Sequence, residues 1–363
     1  MNDLFEYLAW RGDIPFEALG PVNADFAVFC SLSYIPFNGI AGSRAGGRFI
    51  SLGEAAERVL EKAETDKDQI IFHLPDDRKL LRAVIDSPRY SRIKLGYYVD
   101  TFNVNIQEQF SAMTFILPTG DMVVSFRGTD GTIIGWKEDF NMGFMDILPS
   151  QKDAVNYLEN LADTRRGGIY ICGHSKGGNL AMFASAFSDK KVQERIIAVR
   201  SLDGPGFKKE MLSEPGFKNV VKKTISFVPQ YSIVGLILEH RGKCRVVHSF
   251  AKGAKQHDIY SWEILRGEFV EGESLSRSSI LAKKAINNWV TKMPDESRKK
   301  LIEGLFEIVG TAQVDTLEDL FKAKNRLTVM RNYKKLDDET RALLSETGRI
   351  FMSSMRKKGS EQE

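Results

Sequence analysis

Cysteine is scarce in this chain. Only Cys30, Cys172 and Cys244 occur in 363 residues, widely spaced and without a CxxC pair. That argues against a disulfide framework or a thiolate zinc site and suits a reducing compartment. An excess of one charge is also lacking: the formal net charge is +3, which gives no reason to expect a nucleic-acid partner. No apolar stretch approaches the roughly 18–20 residues that span a bilayer. The run Ile233-Val234-Gly235-Leu236-Ile237-Leu238 is far too short. The opening residues, Met1-Asn2-Asp3-Leu4-Phe5-Glu6, carry early acidic groups and no apolar core, so no signal peptide is expected and the expected location is cytoplasmic. Internal repeats and low-complexity tracts are missing too. What remains, 42 % hydrophobic and 27 % charged, is the composition of a soluble globular protein of one large domain, or one domain with an appendage.

Residues 1 to about 110 read as mixed and mostly helical. Apolar residues recur at helical spacing over 24–34. A second helix is expected over 51–60, with Ser51 as N-cap and Glu54 three residues on, and a third over 76–85. The pattern then changes. Strands over 110–117 and 122–126 flank Pro118-Thr119-Gly120-Asp121, the chemistry of a hairpin turn. From there helices and apolar strands alternate: helix 152–161, strand 169–172, helix to about 187, strand 196–202, a short helix near 207–212, strand 224–228 and strand 245–248. Such alternation predicts a mostly parallel central sheet flanked by helices, with ligands at the carboxyl ends of the strands. Beyond residue 277 only helices are expected, over 279–290, 296–309, 316–324 and 338–355, before a disordered tail at 359–363. The expected organisation is a domain over 1–276, with 1–109 its mostly helical part, and a helical C-terminal extension over 277–363.

The segment carrying most chemistry is Gly173-His174-Ser175-Lys176-Gly177, a G-x-S-x-G pattern between an apolar strand and an apparent helix. In that context it reads as a nucleophile elbow: the serine hydroxyl is pushed out at the end of the sheet, where a base can reach it. Side chains at 173 and 177 would collide with the neighbouring strand or helix. The first N–H groups of the helix lie beside the serine and are available to an oxyanion.

Several segments together resemble the α/β-hydrolase superfamily, and within it an uncharacterised, mainly bacterial family related to class 3 (fungal-type) lipases. Val124-Ser125-Phe126-Arg127-Gly128-Thr129-Asp130 resembles the class 3 F-R-G-T segment, which ends a strand and forms part of the oxyanion hole. Trp136-Lys137-Glu138-Asp139-Phe140 is similar to the Trp-x-x-Asp stretch downstream of it, and Asp203-Gly204-Pro205-Gly206 to a Gly-x-Pro turn. Residues 7–13, 228–235 and 256–262 resemble the bacterial relatives. The resemblance covers roughly residues 1–270 and implies the α/β-hydrolase fold and serine hydrolysis. One departure stands out: where class 3 lipases carry the triad aspartate, this chain has Ser232-Ile233-Val234.

A serine needs a neighbouring imidazole to remove its proton. Of five histidines, His257 follows the last strand in a loop, the position of the base in this chain order. His73 falls in the helical section, His174 adjoins the serine but points elsewhere on a tight turn, His240 sits in an exposed polar stretch, and His248 is packed on a strand. For the acid, Asp203 ends a strand between Ser175 and His257 in sequence, an arrangement that some related lipases share. Against it stand a turn-capping role for Asp203, the weaker candidate Glu239, and a Ser–His dyad in which Ser232 or a backbone carbonyl orients the imidazole. The oxyanion donors expected are the amides of Lys176 and Thr129. Arg127 is expected to tie its loop to Asp130 or Asp139, and Lys176 to be a solvated lysine at a helix start. Ile233, Val234 and Leu236 are candidates to line an acyl pocket or lid, or to form a buried helix.

The leading reading is a serine esterase or lipase cleaving a small ester, thioester or lipid, with no cofactor and no metal. A non-catalytic binding protein on the same fold and an acyltransferase remain open, as do a weak attraction of the C-terminal lysine and arginine runs to an anionic membrane and self-association through the C-terminal helices.

Overall fold

The computed structural model describes residues 2–65, 72, 74–103, 105, 106, 108–129, 142, 147–281, 283, 284, 294, 296, 297, 300, 301, 303, 304 and 330–356. His73, Asp130, Trp136 to Phe140, the expected helix over 316–324, the 359–363 tail and most of 285–309 lie outside them. The chain divides into two compact units. One is Met1–Thr101, Phe110–Gly128 and Ser150–Leu275; the other is Phe102–Gln109, Thr129–Pro149 and Ser276–Glu363.

The first unit is built on an eight-stranded sheet whose strands lie side by side in sequence order: β1 (Ile50–Ser51), β2 (Lys94–Asn103), β3 (Glu108–Ile116), β4 (Met122–Phe126), β5 (Ile169–His174), β6 (Ile196–Leu202), β7 (Thr224–Pro229) and β8 (Lys243–Val247). β1 pairs antiparallel with β2, and β3 with β4 across the expected hairpin; β4 through β8 are parallel. Helices α1 (Leu4–Arg11), α2 (Asn23–Leu32), α3 (Leu52–Thr65), α4 (Asp77–Ile85) and α5 (Pro88–Ser91) precede the hairpin. Crossovers follow through α6 (Pro149–Thr164), α7 (Lys176–Phe187), α8 (Lys190–Arg195) and α9 (Pro215–Val220). Alternate strand residues serve two separate cores. Val123 and Cys172 face one with α2 and α3; Val124 and Ile171 face the other with α6 and α7. A strand buried on both sides is apolar at every position, so its period of two is hidden.

That is also why the N-terminal part differs from the mostly helical expectation. It supplies β1 and β2 to the sheet, and Leu95 to Tyr98 are buried in succession rather than alternately. The short helix expected near 207–212 begins later: a single 3-10 turn at Met211–Ser213 leads into α9, which Pro215 starts at its first position. A small hairpin of β9 (Ile264–Leu265) and β10 (Glu268–Phe269) turns through Arg266 and Gly267, both at positive φ, as a type I′ turn requires.

Asp25 on α2 is fully buried with Arg89 on α5, which grips it through Nε at 2.9 Å and a terminal nitrogen at 2.6 Å. Tyr7 Oη donates to the same carboxylate at 2.8 Å, Tyr90 Oη donates as well, and the Val22 amide completes the set at 2.7 Å. The remaining guanidinium hydrogens go to the carbonyls of Ile14, Leu19 and Gly20. In the second unit, α10 (Asp338–Arg356) lies on the expected 338–355 span, and Asp337 caps it by accepting from the Thr340 amide at 3.0 Å. Among the described residues no helix is long and apolar enough to cross a membrane.

Candidate active site

Ser175 stands between the end of β5 and the start of α7 with φ 58° and ψ −132°. A side chain with these angles is strained, and such strain persists only where surrounding structure enforces it. The glycines enforce it here. A Cβ on Gly173 would lie 2.0 Å from the Gly177 carbonyl oxygen, and one on Gly177 would lie 2.0 Å from that of Phe126. Strand, turn and helix close together only without those atoms. The Ser175 amide donates to the Leu202 carbonyl at 2.9 Å, fastening the elbow to the end of β6.

The residue directly after β6 is Asp203, 1 % exposed and itself at φ 48°. His257 Nδ1 lies 2.6 Å from Asp203 Oδ2. Asp203 Oδ1 accepts from Ser232 Oγ at 2.5 Å and from the Gly235 amide at 3.2 Å. A carboxylate in this surrounding only accepts, so the proton on His257 sits on Nδ1. Nε2 is then left with its lone pair, as a general base requires. His257 ends a 3-10 turn over Gly253–His257, and its side chain is 33 % exposed. Asp258, its neighbour, is occupied in capping the next turn through the Tyr260 amide, and burial raises its carboxyl above the usual value.

A second histidine joins the site. The His174 ring lies with its centroid 4.5 Å from that of His257. Its Nε2 is 2.8 Å from the His257 carbonyl oxygen, and its Nδ1 is 2.9 Å from Tyr34 Oη. A carbonyl only accepts, so Nε2 carries the hydrogen, and in the neutral ring Nδ1 accepts from the tyrosine hydroxyl. Burial pushes this imidazole well below its ordinary pKa, with the nearby His257 charge acting the same way and the bond to the carbonyl opposing. His174 therefore ties the turn bearing His257 to the elbow bearing Ser175. Reading the tight turn alone missed this, because the contact spans 83 residues of sequence.

The F-R-G-T segment approaches the elbow at Gly128, where a Cβ would stand 2.9 Å from Ser175 Cβ, 2.6 Å from the His174 carbonyl oxygen and 2.3 Å from Tyr34 Oη. Thr129 follows directly in the chain, half-buried, and belongs to the second unit. Arg127 pairs with Asp100 on β2 at 2.8 Å, a partner that sequence reading did not name. The two aspartates expected there lie outside the described residues.

Lys176 is 1 % exposed rather than solvated, since the first turn of α7 is enclosed on all sides. Of the acyl-pocket candidates, Ile233 is exposed, Val234 half-buried and Leu236 buried, and the three fall on or beside one 3-10 turn rather than a buried helix. Ser232 does not orient the imidazole directly; its hydroxyl goes to Asp203. Glu239 is exposed, and its backbone pairs with Phe207. His248 lies 2.7 Å from Glu263. His240 is half-buried rather than exposed and lines a small apolar cavity with Phe207 and Leu212.

A parallel sheet with a strained serine between strand and helix, a carboxylate at the end of the next strand and a histidine after the last is the α/β-hydrolase fold. The model of the Mbeg1-like family matches residues 84–307. No curated protein matches the chain. Among solved structures it is similar to M37 lipase, at 16 % identity over 58 % of this chain and 68 % of that one, with a TM-score of 0.36. It is also similar to a Rhizomucor miehei lipase propeptide complex, at 13 % identity over 64 % of this chain and 86 % of that one, with a TM-score of 0.34.

Proposed function

The chain belongs to the Mbeg1-like family, and on the geometry of its elbow we propose that it is a serine hydrolase cleaving a carboxylic ester or thioester through an acyl-enzyme on Ser175. The observation that carries this is the 2.6 Å bond between His257 Nδ1 and Asp203 Oδ2, assembled beside a serine held at positive φ. A structural aspartate and a surface histidine have no need of that pairing next to a strained serine.

In the proposed reaction His257 Nε2 takes the Ser175 hydroxyl proton as Oγ attacks the carbonyl carbon. Asp203 stabilises the imidazolium that forms. The amide of Lys176 receives the oxyanion, contributing roughly 3 kcal/mol to the transition state. The leaving group departs with the proton from His257. Water, deprotonated by the same imidazole, then releases the acid and restores Ser175. Asp203 is the acid in this reading, so Ser232 at the position of the expected aspartate does not disarm the site. The substrate is a small acyl ester, thioester or lipid, and no cofactor takes part.

The test is a fluorophosphonate probe applied to the full chain and to Ser175→Ala, with the adduct read by intact mass, followed by a panel of acyl esters. Stoichiometric labelling of the wild type, absent in the variant, is the expected result. A folded wild type that neither labels nor hydrolyses any ester would overturn the proposal and leave a binding protein on this fold.

A further inference from the structure

Asp203 divides its two oxygens between two tasks. Oδ2 faces His257, while Oδ1 receives the Ser232 hydroxyl and the Gly235 amide, both from the loop that follows β7. A carboxylate bonded through one oxygen alone is free to pivot about its Cβ–Cγ bond. Two donors on the other oxygen remove that freedom. The loop is shaped for the purpose: a Cβ on Gly235 would stand 2.2 Å from Asp203 Oδ1, so only glycine brings its amide this close. Ser232 is 1 % exposed, and since the carboxylate only accepts, its hydroxyl donates. Of the two donors Ser232 is the nearer, at 2.5 Å against 3.2 Å.

We propose that Ser232 is a positioning residue for the site: it fixes Asp203 so that Oδ2 stays on His257. This rests on the Ser175–His257–Asp203 reading. The other titratable groups near His257 are the His174 ring and Asp258 beside it in the chain.

The experiment is Ser232→Ala in the full chain, with Ser232→Cys as a second variant that keeps the buried volume while offering only a weak donor. Three readouts are taken: kcat and KM on a hydrolysed ester, the acid limb of kcat/KM, and the titration midpoint of His257 by NMR of 15N-histidine-labelled protein, assigned with His257→Gln. The expected result is a fall of about tenfold or more in kcat, the size of one lost hydrogen bond to a charged group, with KM unchanged. The limb and the midpoint both depart from their wild-type values, as the contact between the carboxylate and the imidazole changes. Lower thermal stability with kcat, limb and midpoint all at wild-type values would overturn the proposal and make Ser232 a filler of buried polar space. If the alanine variant does not fold, the cysteine variant decides by the same midpoint. The midpoint needs no turnover, so a wild type that resists fluorophosphonate sinks the hydrolase reading separately from this one.

Discussion

Replacing Asp203 by asparagine changes one atom, and the surrounding donors dictate where that atom goes. Asp203 Oδ1 accepts from the Gly235 amide, which can only donate, and from Ser232 Oγ. The asparagine carbonyl oxygen must therefore stay at the Oδ1 position, and its NH2 group takes the place of Oδ2, against His257 Nδ1. An amide NH2 cannot accept, so the imidazole surrenders its Nδ1 hydrogen and becomes the Nε2-protonated tautomer. That tautomer has no lone pair on Nε2 with which to take the Ser175 proton. The rate should fall about 10⁴-fold, the loss that the same tautomer error causes in other Ser-His-Asp hydrolases. On the barrier this is roughly 5 kcal/mol. Stability should change by only about 1 kcal/mol, since hydrogen bonds are weakened rather than lost. The assays are the second-order rate of fluorophosphonate labelling, kcat on an ester, and the 15N shifts of the His257 ring, which distinguish the tautomers. Labelling within tenfold of wild type, with the Nε2 tautomer present, would refute the reasoning and remove Asp203 from the proposed triad.

Two other substitutions probe separate parts of the fold. Gly128→Ala places a methyl 2.3 Å from Tyr34 Oη and 2.9 Å from Ser175 Cβ, so the loop or the elbow must move; labelling of Ser175 should slow by about 10²-fold, and a rate equal to wild type would show that the loop yields without disturbing the serine. Arg89→Leu strands the buried Asp25 carboxylate with only tyrosine and amide donors. Urea denaturation should show a loss of roughly 3–5 kcal/mol, and a loss under about 1 kcal/mol would mean that those donors alone satisfy it.

Local features of this chain were legible in its sequence because local atoms cause them. The hairpin over 110–126 follows from Pro118-Thr119-Gly120-Asp121 between apolar runs, and the observed strands pair there. The elbow follows from glycines that leave no room for Cβ atoms. The order of Ser175, Asp203 and His257 along the chain singled out three side chains, and the fold brings Asp203 and His257 into contact at the elbow. Other features depended on sheet register, which no local pattern encodes. β2 was hidden because burial on both faces erases alternation. Arg127 finds Asp100 only because β2 joins the sheet. His174 reaches a carbonyl 83 residues away. Asp203 was one acid among several until the loop after β7 folded back to present Ser232 and Gly235 to one oxygen and leave the other for His257. Sequence determined which groups could do chemistry, since residue type and turn geometry are local. Tertiary structure decided which of them meet, because each contact is made at strand ends by residues that only the assembled sheet brings together.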